Sequence, residues 1–157
     1  MRGDLKESLD LYRRSLNAFE AVGDRAEEAR ILSETAWTYL RHADPARARR
    51  HFLDSVQAYT DVASIRGVGL SLIGLAAAET FERRFENAVK LAAAAELFAR
   101  EEGIVNVYSD ETPGREYVAR ARAALSADDV ERAEESGRRL TIREALDLAR
   151  IAETALT

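Results

Sequence analysis

The stretch DRAEEARILSETAWTYLRHADPARARRHFLDSVQAYTDVA, residues 24–63, decides the fold. Asp24 and Glu27 form a D-x-x-E signal, in which the aspartate accepts from the orphan N–H groups of a first helical turn. Ala29, Leu32, Ala36 and Leu40 recur at spacings of three and four, with Thr35 and Tyr39 beside them, so one apolar stripe runs along a helix. Charge sits elsewhere, on Glu27, Glu28, Arg30 and Glu34. His42 and Ala43 lead into Asp44-Pro45, an N-cap followed by proline at the one helical position where its missing N–H costs nothing. A second helix follows at once, with Ala48, Phe52, Ser55, Val56 and Tyr59 on its inner face. Two amphipathic helices joined this tightly form an antiparallel pair.

The pair is repeated. Gly3–Ser8, Ala43–Ala48 and Arg83–Ala88 align without gaps at a spacing of 40 residues. The register continues through Ser8, Ala48 and Ala88, then Tyr12, Phe52 and Ala92, then Ser15, Ser55 and Ala95. Small residues thus return where two helices approach closely. Between these helices lie partners over 24–42 and roughly 65–81, the latter carrying Leu70, Ile73, Gly74 and Ala77. About five long helices are expected through Gly103. Beyond it, Ile104–Glu111 suits loop backbone. Three short helices follow, opened by Thr112-Pro113, by the capping box Ser126-x-x-Asp129 and by Thr141-x-x-Glu144. Their apolar faces are narrow (Tyr117, Ala121, Ala124 and Leu125; Val130 and Ala133; Ile142, Ala145, Leu146, Ala149 and Ile151 or Ala152), so they are expected to hold by packing over the open end of the last repeat. The expected fold is all-α: a solenoid of antiparallel helix pairs over 1–103 with a C-terminal helical cap over 104–157, in one continuous domain.

Composition narrows function. The 157 residues are 46% apolar and 32% charged, as in ordinary globular chains, and contain no cysteine, which excludes disulfides and thiolate metal sites. No run approaches a membrane span, and Met1–Lys6 lacks the apolar core of a signal peptide, so the expected compartment is the cytoplasm. Charge balances over residues 1–100, and the net −5 falls in residues 101–157; neither part matches nucleic acid. The local basic run of Arg41, Arg47, Arg49 and Arg50, with His42 and His51, reads as a solvated helix face balanced by Asp44 and Asp54.

No catalytic constellation assembles. His42 and His51 lack metal-ligand spacing, and the acidic group Asp128, Asp129, Glu131, Glu134 and Glu135 reads as capping and solvation without the glycine of a calcium loop. Ser33, Ser71 and Tyr39 have no adjacent base, and Gly67-Val68-Gly69 is too short to cradle phosphate. No enzyme, cofactor or metal is expected.

At these residues the middle hairpin resembles a tetratricopeptide repeat. Leu32, Thr35, Ala36 and Tyr39 fall on that family's first-helix positions, and Ala48, Phe52 and Ser55 on its small, aromatic and small positions in the second. The longer period and Thr60 in place of the family's closing proline are departures. LAAAAELFAREEG at 91–103 and ARARAALSADDVERAEESGRRLTIREALDLA at 119–149 are similar to the C-terminal end of bacterial STAND-class ATPase regulators, LuxR-type regulators among them. The resemblance implies a sensor or partner-docking role. It implies no ATPase activity, since no G-x-x-x-x-G-K-[ST] loop is present.

Carried onto this register, the family's concave groove is expected to display Arg30, Ser33, Trp37, Arg41, Val68, Ser71 and Leu75 to a protein or peptide partner, with Trp37 as its anchor. A small molecule held between the repeats and the cap is the alternative. The first helix carries Leu5, Leu9, Leu11, Tyr12, Leu16 and Phe19, more apolar side chains than one hairpin covers; either an upstream helix of a longer array or a second copy is expected to cover them, and in both cases the isolated chain is expected to self-associate through residues 5–19.

Overall fold

The computed structural model describes residues 2–103 and 114–154. Among them are five long helices, α1 (Arg2–Val22), α2 (Arg25–Arg41), α3 (Pro45–Asp61), α4 (Ile65–Phe81) and α5 (Phe85–Glu101), then three short ones, α6 (Gly114–Ala123), α7 (Ala127–Gly137) and α8 (Ile142–Thr154). No strand occurs among the described residues. The loop expected over Ile104–Glu111 and the helix start at Thr112-Pro113 lie outside them, as do the side chains of Ile151 and Ala152.

One turn is used again and again. Gly23, Ala43, Ala63, Arg83 and Gly103 all have positive φ, between 54° and 73°, and stand 20 residues apart. The next residue's N–H reaches back to the carbonyl five residues earlier: Asp24 to Phe19 and Asp44 to Tyr39 at 3.0 Å, Ser64 to Tyr59 at 2.9 Å and Arg84 to Glu79 at 2.8 Å. This is the Schellman ending, which satisfies carbonyls that a helix C-terminus leaves orphaned. Asp24, Asp44 and Ser64 then turn their side chains to the following helix, accepting from the N–H of Glu27, Arg47 and Gly67. One residue closes a helix and caps the next, so the expected 40-residue repeat is two identical helix-turn units. The capping boxes at Ser126 and Thr141 form as expected, with Asp129 N–H donating to Ser126 Oγ at 3.1 Å and Glu144 N–H to Thr141 Oγ1 at 3.2 Å.

Successive long helices pack as antiparallel neighbours, and α2 also touches α4. α6 lies on α4 and α5, α7 on α5, and α8 reaches α3, α4 and α5. The centre is α4, whose residues from Gly67 through Thr80 are all buried except Leu70. Its sequence explains why: from Gly67 to Ala78 it contains no charged residue, and a helix that is apolar all round belongs inside. Gly74 lets the Phe52 ring lie on its backbone, and Gly114 does the same for Ile73; a Cβ at either place would overlap its neighbour. Ser55 donates to the Ala29 carbonyl at 2.8 Å and meets Ser71 Oγ at 2.9 Å, so the small residues of the register also satisfy buried polar groups.

The basic run divides in a way its spacing did not predict. Arg41, Arg47 and Arg50 are exposed, but Arg49 is fully buried, a correction to its reading as part of a solvated face. Its Nη2 donates to Glu79 Oε1 at 2.7 Å and also meets Glu82, while Arg84 Nε donates to Glu79 Oε2 at 2.7 Å and Asn87 Nδ2 to the same oxygen at 3.3 Å. Arg49 sits one turn into α3 and Glu79 near the end of α4, so the cluster ties that helix pair to the α4–α5 turn. Arg49 Nε and Nη1 are buried without partners, a desolvation cost that makes the pair a device of register more than of net stability.

The two ends of this cluster are not equivalent. Removing Glu79 leaves the buried Arg49 with only Glu82, whereas removing Arg49 leaves Glu79 still held by Arg84 and Asn87. Glu79→Ala should therefore lower unfolding free energy by about 3 kcal/mol, and Arg49→Met by clearly less. Urea denaturation of both variants checks this; equal losses would show that the cluster does not act in the way its geometry implies.

Candidate functional site

The expected groove residues separate into two sets. Arg30 and Arg41 are exposed and Ser33 is half-buried, on α2. Val68, Ser71 and Leu75 are fully buried, and Trp37 is 5% exposed. Trp37 packs edge-on to Phe52 with ring centres 5.1 Å apart, and against Tyr117 of α6 at 6.5 Å. Trp37, Ala77 and Tyr117 stand 40 residues apart in one register. An open groove anchored on Trp37 is therefore corrected: α6 closes over that position, and Trp37, Val68, Ser71 and Leu75 are core. The signal was present in the all-round apolar sequence of α4, which leaves no helix face for an open surface.

The opposite end of the stack is packed differently. Leu5, Leu9, Tyr12, Leu16 and Phe19 of α1 lie half-buried, and Leu11 is 54% exposed. Shifting by 40 residues places Tyr12 on Phe52, Leu16 on Val56, Leu32 on Leu72, Thr35 on Leu75 and His51 on Leu91. Phe52, Val56, Leu72, Leu75 and Leu91 are each 0% exposed. The α1–α2 contact is thus the same interface built less completely. Behind it lies a cavity of about 280 Å³, walled by α1, α2 and His51 of α3.

The polar groups of this cavity are few. Asp10 and Arg13 pair with each other at 3.0 Å at its exposed side. The Thr35 hydroxyl donates to the Ile31 carbonyl at 2.7 Å, leaving its lone pairs free to accept. His51 lies flat on Tyr39, ring centres 5.4 Å apart and planes 8° from parallel, with Nδ1 buried and unpartnered. Arg47 stands over the same Tyr39 ring at 5.6 Å. Burial pushes the His51 pKa below its ordinary 6.5, against the attraction of Asp54 and with the repulsion of Arg50. The remaining walls, Leu9, Leu16 and Leu32 among them, are apolar, and the hollow is open on one side. Among the described residues no three His, Asp or Glu side chains gather to hold a metal, and no helix is long and apolar enough to cross a membrane.

A depressed folded-state pKa has a definite sign. Well above pH 6.5 His51 is neutral folded or unfolded and contributes no pH dependence. Below that value the unfolded chain takes up the proton first, so stability falls until the folded-state pKa is passed. His51→Leu, the residue of the matching position in α5, should remove this part of the acid-side decline in chemical denaturation at stepped pH. An unchanged slope in the variant would assign the decline to other groups.

A family model for the tetratricopeptide repeat matches residues 1–61, the span of α1, α2 and α3. No curated protein and no solved structure matches the chain. That match, together with the helix pairs described above, supports tetratricopeptide-like repeats.

Proposed function

We propose that this chain is a protein-interaction module, the C-terminal sensor region of a larger ATPase-linked regulator, and that it docks through the α1 edge of its stack. Tetratricopeptide repeats commonly mediate protein–protein interaction, and such helical folds are typically non-catalytic scaffolds. The observation that carries the reading is the difference between equivalent interfaces. The apolar residues of α3 are sealed by α4, whereas those of α1 are half covered by α2, with Leu11 in solvent. The link to an ATPase rests on the resemblance of residues 91–103 and 119–149 to the ends of such regulators.

The occupant we assign to the edge is a second copy. Along α1, Glu7 and Asp10 precede Arg13 and Arg14. An antiparallel pair of α1 helices about a two-fold axis sets these opposite signs against each other, and so favours the self-complementary arrangement. The second reading, a small molecule between the repeats and the C-terminal helices, is favoured by a hollow of about 360 Å³ between the α4–α5 turn and Leu125. That hollow is lined by Arg83, Arg84, Glu86 and Asn87. Arg84 and Asn87 are already engaged with Glu79, which is why the interaction reading is preferred.

Light scattering of the isolated chain at high micromolar concentration is the test. A dimer is expected, and Leu11→Glu or Leu16→Glu should shift it to monomer, since one charge in an apolar contact costs enough to reverse a modest affinity. A wild-type monomer, or a dimer indifferent to both substitutions, would contradict the assigned face.

A further inference from the structure

Resting on the reading of α1 as a self-docking edge, we propose that two copies meet antiparallel along one stripe of that helix, with Leu11 beside the two-fold axis and Glu7 facing Arg14 of the second copy. The stripe is Ser8, Leu11, Ser15 and Ala18, at spacings of three and four. It is not the side that meets α2. Leu9, Tyr12 and Leu16 look into the hollow shared with α2, and the stripe lies roughly a third of a turn away from them.

The molecule shows twice what covers this stripe. A shift of 40 residues places it on Ala48, His51, Ser55 and Ala58 of α3, and a second shift on Ala88, Leu91, Ala95 and Phe98 of α5. All of these are 0% exposed but the half-buried His51 and Phe98. On α3 the cover is α2, since Ser55 donates to the Ala29 carbonyl at 2.8 Å and His51 stacks on Tyr39. α4 packs on α5 as α2 does on α3. On α1 the same positions hold Leu11, 54% exposed, and an exposed Ala18. The face that takes a helix at close approach in both later repeats is bare in the first.

Charge and symmetry select the second copy's α1 as that helix. Glu7 stands four residues before Leu11 and Arg14 three after it, both exposed, on the flank of the stripe away from α2. A two-fold axis at Leu11 reverses the second helix, so each Glu7 meets an Arg14 and each leucine enters the space left by Ser8 and Ser15 of the other chain. A parallel pair would set like charges together. Assembly stops at two, because the stack offers this edge once. At its other end α7 lies on α5, with Gly137 against the Lys90 carbonyl.

The chain has no cysteine of its own, so introduced cysteines report contact. Leu11→Cys, oxidised at a concentration where light scattering gives a dimer, should run as a covalent dimer on a non-reducing gel, because a residue beside the axis lies within disulfide reach of its copy. Asn17→Cys, exposed on another side of α1, should run as a monomer. Glu7→Arg should weaken the dimer by about tenfold in analytical ultracentrifugation, and Arg14→Glu added to it should restore the wild-type value. A dimer in which Asn17→Cys links as readily as Leu11→Cys, or in which the double reversal binds no tighter than Glu7→Arg alone, overturns this pairing and leaves self-association through α1 standing. A wild-type monomer removes the edge reading and the pairing with it. Species larger than a dimer overturn the closed assembly.

Discussion

The structure depends on α4 having no face to give to water. From Gly67 to Ala78 it is glycine, alanine, serine and branched aliphatic residues, so exposing any side forfeits apolar burial at roughly 25 cal/mol per Å². Helices must therefore surround it, and α2, α3, α5, α6 and α8 all touch it. The small residues that deprive α4 of a polar face also let its neighbours come close. Phe52 lies on the backbone of Gly74, and the Tyr59 ring on that of Gly67. Closure at this end and incompleteness at α1 are two results of one distribution of side chains along a repeated register.

The turns explain how so regular a stack arises. Each residue at the left-handed position ends one helix 20 residues after the previous one, and after the first three of them the follower, Asp24, Asp44 or Ser64, caps the next helix with its side chain. Only Gly23 and Gly103 adopt that conformation without steric cost; Ala43, Ala63 and Arg83 hold it against a penalty of roughly 1 kcal/mol each. Three strained turns persist because the helix pairs on either side over-determine them.

What was legible beforehand was local or periodic. Asp24, Asp44, Ser126 and Thr141 act within three residues of themselves, so the helix starts they imply were readable. The 40-residue register needed only the chain compared with itself. The groove was misplaced because residue positions were carried over from a family pattern, while burial of Val68, Ser71 and Leu75 depends on how α4 is surrounded. Arg49 was unreadable for a stricter reason: its partner Glu79 lies thirty positions away on another helix, and nothing local separates it from Arg47 or Arg50. Thr35 and His51 stand between these cases, since each is unremarkable alone and becomes informative only beside Leu75 and Leu91.

Packing runs in a gradient along the stack, complete around α4 and partial at α1. Native-state hydrogen exchange of the full chain measures it directly, because amide protection reports the free energy of the opening that exposes each helix. Protection in α4 should reach the global unfolding free energy, with α1 amides exchanging faster by about two orders of magnitude or more at concentrations where the chain is monomeric. Uniform protection from α1 to α5 would contradict the account, since it would mean that the first interface is as firmly built as the second.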